Sequence, residues 1–387
     1  MKVGFFSPLP PSPTGVADYS AALLAALRKH GHVEVGDARA GLAQHEVALY
    51  HIGNNHLHRE IYSQALAHPG VAVIHDAVLQ HFFLGTLDQA RYIEEFVYNY
   101  GEWSRGLAED LWRNRARSAA DPRYFAYPML KRLVTASQAV IVHNPAAERV
   151  VRQHNPDATV IEIPHLFAPP AVPDSVETLR FRERLGLGPR TLLVGVFGHL
   201  RESKRLSAIL RAMDLAWERG ADATLLVQGD FASSDLERAL APRFANHPRI
   251  LRTGYLPDSE FWRWASATDV CLNLRFPSAA ETSGIAVAMM GIGKAVVFTS
   301  GEEISRIPED ACLRVEAGPT EETELGDYLV WLAGEPEAAV EIGRRAAAHI
   351  ARDHVIGKVA AQYWEALVFA SAHDPERREE EKRGHRD

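Results

Sequence analysis

Short runs of aliphatic and β-branched residues recur along this chain, each followed by a stretch of helical periodicity. KVGFFS (2–7), VALYHI (47–52), VAVIH (71–75) and AVIVH (139–143) read as strands, and VADYSAALLAALRKHG (16–31) reads as a helix between them. Strands alternating with helices are the signature of βαβ units and a parallel sheet. The rhythm stops at FAPPAVPDSV (167–176), a Pro-rich stretch without periodicity that reads as a linker. It resumes with TLLVGVFG (191–198), ATLLVQG (223–229), DVCLNLR (269–275) and KAVVF (294–298), and with the amphipathic helix RLSAILRAMDLAWERG (205–220). The expectation is an α/β chain of two consecutive doubly wound domains, over 1–168 and 177–353. A helix at 354–371 could return to the first domain, and the charged tail 372–387, which lacks apolar anchors, is expected to be disordered. Ligands of such folds bind in the crevice at the carboxyl ends of the strands.

Composition narrows the function classes. A length of 387 residues is too great for one ordinary core, and 47% hydrophobic with 24% charged residues is the balance of a soluble globular protein. A formal charge of −8 argues against a general nucleic-acid binder, which needs a basic surface. The only cysteines, Cys271 and Cys312, lie in apolar strand-like runs, the placement of buried thiols in a reducing cytoplasm. The opening MKVGFFSPLPPSPTG lacks the apolar core and cleavage site of a signal peptide, and no apolar run approaches a membrane span. The reading is a cytoplasmic protein.

The groups able to do chemistry stand at strand ends. After the first strand, PLPPSPTGVADYS places Gly15 ahead of a helix, where backbone N–H groups can approach an anion, although Pro-rich turns before helices are common. His75 and Asp76 end the third strand. Upstream, YHIGNNHLHRE contributes His51, Asn54, Asn55, His56 and His58, a set that invites a metal reading but lacks a ligand pair at helical spacing. In the second domain, GVFGHLRESKRLS gathers His199, Arg201, Lys204 and Arg205 ahead of a helix. Such a turn suits a phosphate group, and equally suits a solvated basic surface.

FPSAAETSGIAVAMMGIGKAVVF (276–298) has a single carboxylate, Glu281, just ahead of a short buried helix from Ser283 to Ile292, with Thr282 and Ser283 as N-cap candidates. Glu281 could simply complement the helix dipole. Arg275, at the preceding strand end, could face the crevice or pair with Asp269. YNYGEWSRGLAEDLWRNRARS (98–118) mixes aromatics with arginines; it could be a solvated helix, or face an acceptor or a membrane surface.

In order and spacing, PPSPTGVADYS, IGNNHLHREIY, PGVAVIHDAVLQHF, VFGHLRESKR, TGYLPD and NLRFPSAAETSG resemble the family 4 retaining glycosyltransferases. The resemblance spans almost the whole chain and implies the GT-B fold, two Rossmann-like domains facing each other across a cleft. It implies that Gly15 lies by the diphosphate of a nucleotide-sugar donor and His75 by the transferred sugar. It implies that Arg201 and Lys204 bind the diphosphate, with His199 standing where the family has an arginine. Glu281, with Gly284 in an E-x-x-G motif, would contact donor-sugar hydroxyls, while Thr282, Ser283 and Arg275 line the same donor site. Many members carry a second glutamate that binds the ribose, at positions occupied here by Ala288 and Met289.

The activity implied is metal-independent, retaining transfer of a hexose such as mannose or glucose from a UDP- or GDP-linked donor. The acceptor would be a glycan, a lipid-linked sugar or a small molecule. It requires no cofactor, and it is compatible with peripheral contact at the inner face of a membrane. The missing second glutamate keeps open a catalytically impaired nucleotide-sugar binding protein, and the fold keeps open an epimerase.

Overall fold

The computed structural model describes residues 1–36, 45–245 and 247–373, so most of the tail expected to be disordered lies outside the described residues. The chain divides into two compact units. The first comprises Met1–Leu166, the four residues Ala279–Thr282, and the chain from His354 onward; the second comprises Phe167–Ser278 and Ser283–Asp353.

In the first unit six strands pair entirely in parallel: β1 (Lys2–Phe6), β2 (His32–Val35), β3 (Val47–Ile52), β4 (Val71–Ile74), β5 (Ala139–Val142) and β6 (Val160–Glu162), in the order β2-β1-β3-β4-β5-β6. Alternate residues face opposite sides, so Phe6 joins a core with Tyr50, Ile74, Tyr92 and Phe96. Phe5 joins another with Leu23, Leu27, Val73 and Leu367. The helix Ile356–Ala372 belongs to that second core, where the Tyr363 hydroxyl lies 2.8 Å from the Tyr19 hydroxyl on the helix Gly15–Leu27.

The second unit repeats the plan with β7 (Leu192–Phe197), β8 (Ala223–Gln228), β9 (Ile250–Thr253), β10 (Val270–Asn273), β11 (Ala295–Thr299) and β12 (Leu313–Val315), again all parallel, in the order β12-β11-β10-β7-β8-β9. Numbered from its own first strand, this is the 3-2-1-4-5-6 order of dinucleotide-binding sheets. The order reverses between β7 and β10 here, and between β1 and β3 in the first unit. Each reversal opens a crevice beyond the strands' carboxyl ends.

Central strands β3, β7, β8 and β10 are buried along their whole length, which their unbroken apolar sequences announce. The edge strands β2, β6, β9 and β12 carry HVEV, VIE, ILRT and LRV, short and partly charged, and are not among the strands expected from the sequence. A charged, short edge strand resists pairing with another chain but loses the apolar signature of a strand. Cys271 and Cys312 are free and buried, as expected, and burial pushes the Cys271 thiol up to about 12.

Arg205 departs from the reading of the turn 199–205 as one cationic group. It adopts a left-handed backbone (φ 60°) at the N-cap of the helix Leu206–Glu218. Its guanidinium grips the fully buried carboxylate of Glu321, with Nε 2.9 Å and Nη2 2.5 Å from Oε2. This side chain is committed to the core of the second unit. Removing one partner of a buried pair leaves an unpaired charge, at a cost of about 3–5 kcal/mol, reduced here because Arg205 is about one-third exposed. We expect Arg205→Ala to lower stability by about 2–3 kcal/mol in urea unfolding, and Arg205→Ala/Glu321→Leu to recover most of that loss. A single variant as stable as the parent would show that the pair contributes nothing.

Candidate functional site

In the first unit, Gly15 opens the helix after β1, whose N-cap is Thr14, with Oγ1 accepting from Val16 N at 3.4 Å. A Cβ added at Gly15 would meet nothing within 4 Å, so the surface there is open to a ligand. One turn on, the Tyr19 ring stands edge-on to His75 with centroids 5.0 Å apart. His75 follows β4, its backbone N–H bonded to Ile52 O at 2.9 Å and its Nε2 lying 2.9 Å from His51 Nδ1. Asp76 accepts from Asn54 N at 3.0 Å, and Asn54 Oδ1 accepts from Phe82 N at 2.8 Å, so these strand-end loops brace one another.

The histidines suspected of metal binding are used differently. His58 donates from Nδ1 to His51 O, and Asn55 caps a short turn by accepting from Leu57 N. Among the described residues no group of three His, Cys, Asp or Glu is placed to hold a metal ion. His51, His75, His143 and His165 form a cluster around Tyr19, with ring centroids 4.7–6.5 Å from their neighbours where they meet Phe5, Tyr19, Tyr363 and one another, and His58 adjoins it through His51. Burial holds them neutral. His58 and His143 are pushed down to about 4 and His165 to about 3, while His51 and His75 lie well below the ordinary histidine range.

Glu281 sits in the segment Ala279–Thr282, which packs with the first unit although its flanking residues belong to the second. Ala77 N donates to Ala279 O at 2.9 Å, and Asn144 Nδ2 donates to Ala280 O at 3.0 Å and to Thr282 Oγ1 at 2.9 Å. Ala280 is left-handed (φ 54°), a conformation that costs an alanine about 1–2 kcal/mol, and these bonds hold it there. Glu281 Oε2 accepts from Ala279 N at 2.8 Å, closing the turn. Asn144 does two jobs, since its Oδ1 also caps the helix Pro145–His154 by accepting from Ala147 N at 2.9 Å. Sequence reasoning missed Asn144. The Asn-Pro pair at a helix start signals the cap, but nothing local signals the clamp.

In the second unit Ser283 is the N-cap of the helix Gly284–Gly291, its Oγ accepting from Ala286 N at 3.2 Å and donating to Asn273 Oδ1 at 2.9 Å. Thr282 is not the cap: its hydroxyl reaches the His143 carbonyl at 3.4 Å. Arg275 donates from Nη2 to Ser283 Oγ at 3.1 Å, whereas Asp269, the alternative partner weighed for Arg275, pairs with Arg182 at 2.9 Å. Lys204 is buried and donates from Nζ to Phe197 O. A Cβ on Gly198 (φ 81°) would lie 3.6 Å from Lys204 Nζ and 3.8 Å from Ile285, so Lys204 stands beside the first turn of that helix. Phe276 N donates to Ser203 O at 2.8 Å, tying the loops after β7 and β10 together. His199 and Arg201 are exposed on the same turn, where desolvation and the charges of Arg201 and Lys204 lower the basicity of His199. Gly229 (φ 125°) lets this turn lie against the end of β8, because a Cβ there would fall 2.3 Å from Gly198 O.

Met289 is fully buried in the apolar core of the second unit, and Ala288 is half-buried. The helix therefore offers packing where a second glutamate could have stood. The segment 98–118 runs from the end of the helix Gln89–Tyr100 through the short turn Glu102–Ser104 and the helix Arg105–Asn114 to the turn Arg115–Arg117, with Trp103 74% exposed and Arg113, Arg115 and Arg117 on the surface. No described helix is long and apolar enough to cross a membrane.

Two parallel six-stranded sheets, each wound on both faces by helices, give this chain the fold of the GT-B glycosyltransferases. Among solved structures it is similar to HepE of Anabaena in complex with UDP-glucose, at 16% identity over 95% of this chain and 99% of that one, with a TM-score of 0.65. It is similar to sucrose-phosphate synthase of Thermosynechococcus elongatus, at 16% identity over 97% and 100%, TM-score 0.68. It is also similar to WaaG, a glycosyltransferase involved in lipopolysaccharide biosynthesis, at 14% identity over 94% and 99%, TM-score 0.58. No family model matches the chain, and no curated protein is similar to it in sequence.

The neutral histidine cluster makes the first unit acid-sensitive. Above about pH 7 folded and unfolded chains both hold these rings uncharged, and the cluster adds no pH-dependent cost. As pH falls below about 6.5 the unfolded chain takes up protons that the folded core refuses until about pH 4, so stability falls. Each such histidine removes about 2 kcal/mol between pH 8 and pH 5. We expect the urea midpoint to drop steeply over that interval, before carboxylates titrate. A flat profile from pH 8 to pH 5 would show that the rings are not held neutral.

Proposed function

We propose that the chain is a glycosyltransferase that moves a hexose from a nucleotide-diphosphate sugar to a glycan, lipid-linked or small-molecule acceptor. The observation that carries this reading is the cationic turn at the order reversal of the second sheet. Lys204 stands there beside the start of the helix Gly284–Gly291, and Arg201 is exposed on the same turn. A diphosphate leaving group needs preplaced positive charge and N–H donors as the bond to the anomeric carbon lengthens, and a guanidinium, an ammonium and a helix N-terminus supply them without reorganisation. His199, Arg275, Ser283 and Gly284 complete the donor surface of the second unit in this reading, and within the first unit Gly15 and Thr282 are assigned to donor binding.

Glu281 reads the sugar. A carboxylate held by Ala279 N in a turn clamped by Asn144 is a rigid acceptor for hydroxyl groups. In the transfer step the anomeric carbon–oxygen bond to the diphosphate breaks, the acceptor hydroxyl oxygen bonds to that carbon from the same face, and its proton passes to the departing phosphate oxygen. Configuration is retained, and the charge compensation by Arg201 and Lys204 makes a metal unnecessary. Because HepE binds UDP-glucose, a UDP-linked hexose is the first donor to test, with GDP-linked mannose beside it. The exposed Trp103 and the arginines near it suit an acceptor carried on an anionic membrane surface.

Glu281→Gln separates sugar reading from a purely structural role, because glutamine keeps the oxygen that accepts from Ala279 N and loses only charge. Charge-assisted bonds are worth about 1.5–3 kcal/mol, so donor hydrolysis and transfer should fall by about tenfold to a hundredfold. Affinity for the free nucleoside diphosphate should stay within about twofold. Unchanged turnover with a lowered melting temperature would make Glu281 structural. Wild-type protein that binds donor but never hydrolyses or transfers it would point to the impaired binding protein left open by Met289. For the metal question, activity should survive EDTA at full rate; loss on chelation, restored by magnesium or manganese, would overturn the metal-independent mechanism.

A further inference from the structure

The carbonyl groups around the buried ring cluster dictate which nitrogen of each histidine carries the proton. Nδ1 lies 2.9 Å from a carbonyl oxygen in His58 (to His51), His143 (to Ile163) and His165 (to Leu166). A carbonyl only accepts, so each of these rings is the Nδ1–H tautomer and, being neutral, keeps a bare lone pair on Nε2. In His58 and His143 that Nε2 is buried without a partner, so this core tolerates an unpaired lone pair.

His51 presents the same geometry with a different acceptor. It is fully buried, its Nδ1 lies 2.9 Å from His75 Nε2, and its own Nε2 is buried without a partner. Two proton arrangements can make this bond. If His75 Nε2–H donated, His51 would carry its proton on Nε2, a buried N–H with nothing to bond. If His51 Nδ1–H donates, the buried Nε2 holds only a lone pair, as in its two neighbours. A buried orphan donor is the rarer defect, and leaving one unmade forfeits its full desolvation. We propose that His51 is a positioning residue that donates from Nδ1 to His75 Nε2 and so fixes His75 as the Nδ1–H tautomer.

The consequence is chemical. His75 is half-buried, and among the described residues its Nδ1 is neither buried nor hydrogen-bonded, so Nδ1 is the atom a ligand meets. With its proton fixed there, His75 offers a donor. It recognises an acceptor oxygen, such as that of a sugar hydroxyl, and does not serve as a base that removes the acceptor's proton. The tautomer stands on geometry alone; the identity of the oxygen rests on the proposed function.

The test is a long-range proton–nitrogen correlation spectrum of histidine-labelled protein near neutral pH, with the His75 signals assigned by their loss in His75→Gln. We expect a protonated Nδ1 and a bare Nε2 on His75. His51→Phe should release the ring to the mixed tautomers of free imidazole. His51→Asn, whose amide nitrogen takes the place of Nδ1 as donor, should restore the wild-type pattern. A wild-type spectrum with the proton on Nε2 overturns the proposal without any variant, as does an unchanged pattern in His51→Phe. Initial rates with UDP-glucose and GDP-mannose then test the functional reading separately. Hydrolysis should fall about tenfold in His51→Phe and recover in His51→Asn, with UDP and GDP affinity unchanged. If the tautomer shifts while the rates do not, the positioning is upheld and the placement of His75 against the sugar fails.

Discussion

Parallel pairing is the constraint on which the rest of this structure depends. Every strand in both sheets runs the same way as its neighbours, so every connection must cross back over a face of the sheet, and all carboxyl ends emerge along one edge of that sheet. The loops that follow β1, β3, β4 and β5 therefore share one edge in the first unit, and those after β7, β8 and β10 share one in the second. Where strand order reverses, neighbouring crossovers leave to opposite faces and a crevice is left between them. Gly15 stands at one such point and the turn from His199 to Lys204 at the other, because chain direction leaves them nowhere else to be.

Burying polar groups is what makes these edges rigid. Asn144 spends its amide on the Ala280 carbonyl and the Thr282 hydroxyl and its oxygen on a helix start, so one side chain both caps a helix and holds a left-handed alanine. Arg205 and Glu321 brace the far side of the basic turn in the same way. The histidine cluster is the extreme case. Three of these rings, His51, His58 and His143, lie buried with an Nε2 that nothing satisfies, a standing cost that an apolar core would avoid. A cost concentrated beside a strand end is the signature of a site under constraint other than stability.

The central strands, the helix Leu206–Glu218 and the helix start at Thr282–Ser283 were legible in the sequence, because each is written in a few adjacent residues. Val194, Val196, Leu225 and Val227 lie in unbroken apolar runs, and the Thr-Ser pair ahead of Gly-Ile-Ala-Val marks a helix start, while only the structure decides that Ser283 and not Thr282 is the cap. The edge strands were not, since their half-exposed faces carry charge. Within the basic turn, Lys204 and Arg205 look alike as sequence. One lies beside the start of the Gly284–Gly291 helix and the other is bound into the core by Glu321.

The sequence by itself determined the two α/β units, the parallel sheets and the strand ends that bear the candidate groups, since periodicity and burial are properties of residues a few positions apart. Only the tertiary structure decided what those groups do to one another. His51 meets His75 across 24 residues, Arg205 meets Glu321 across 116, and Asn144 meets Ala280 across 136. Each of these contacts depends on which strands lie side by side and in what register. That arrangement is set by how whole helices and sheets pack, so it cannot be read from the neighbours of any one residue.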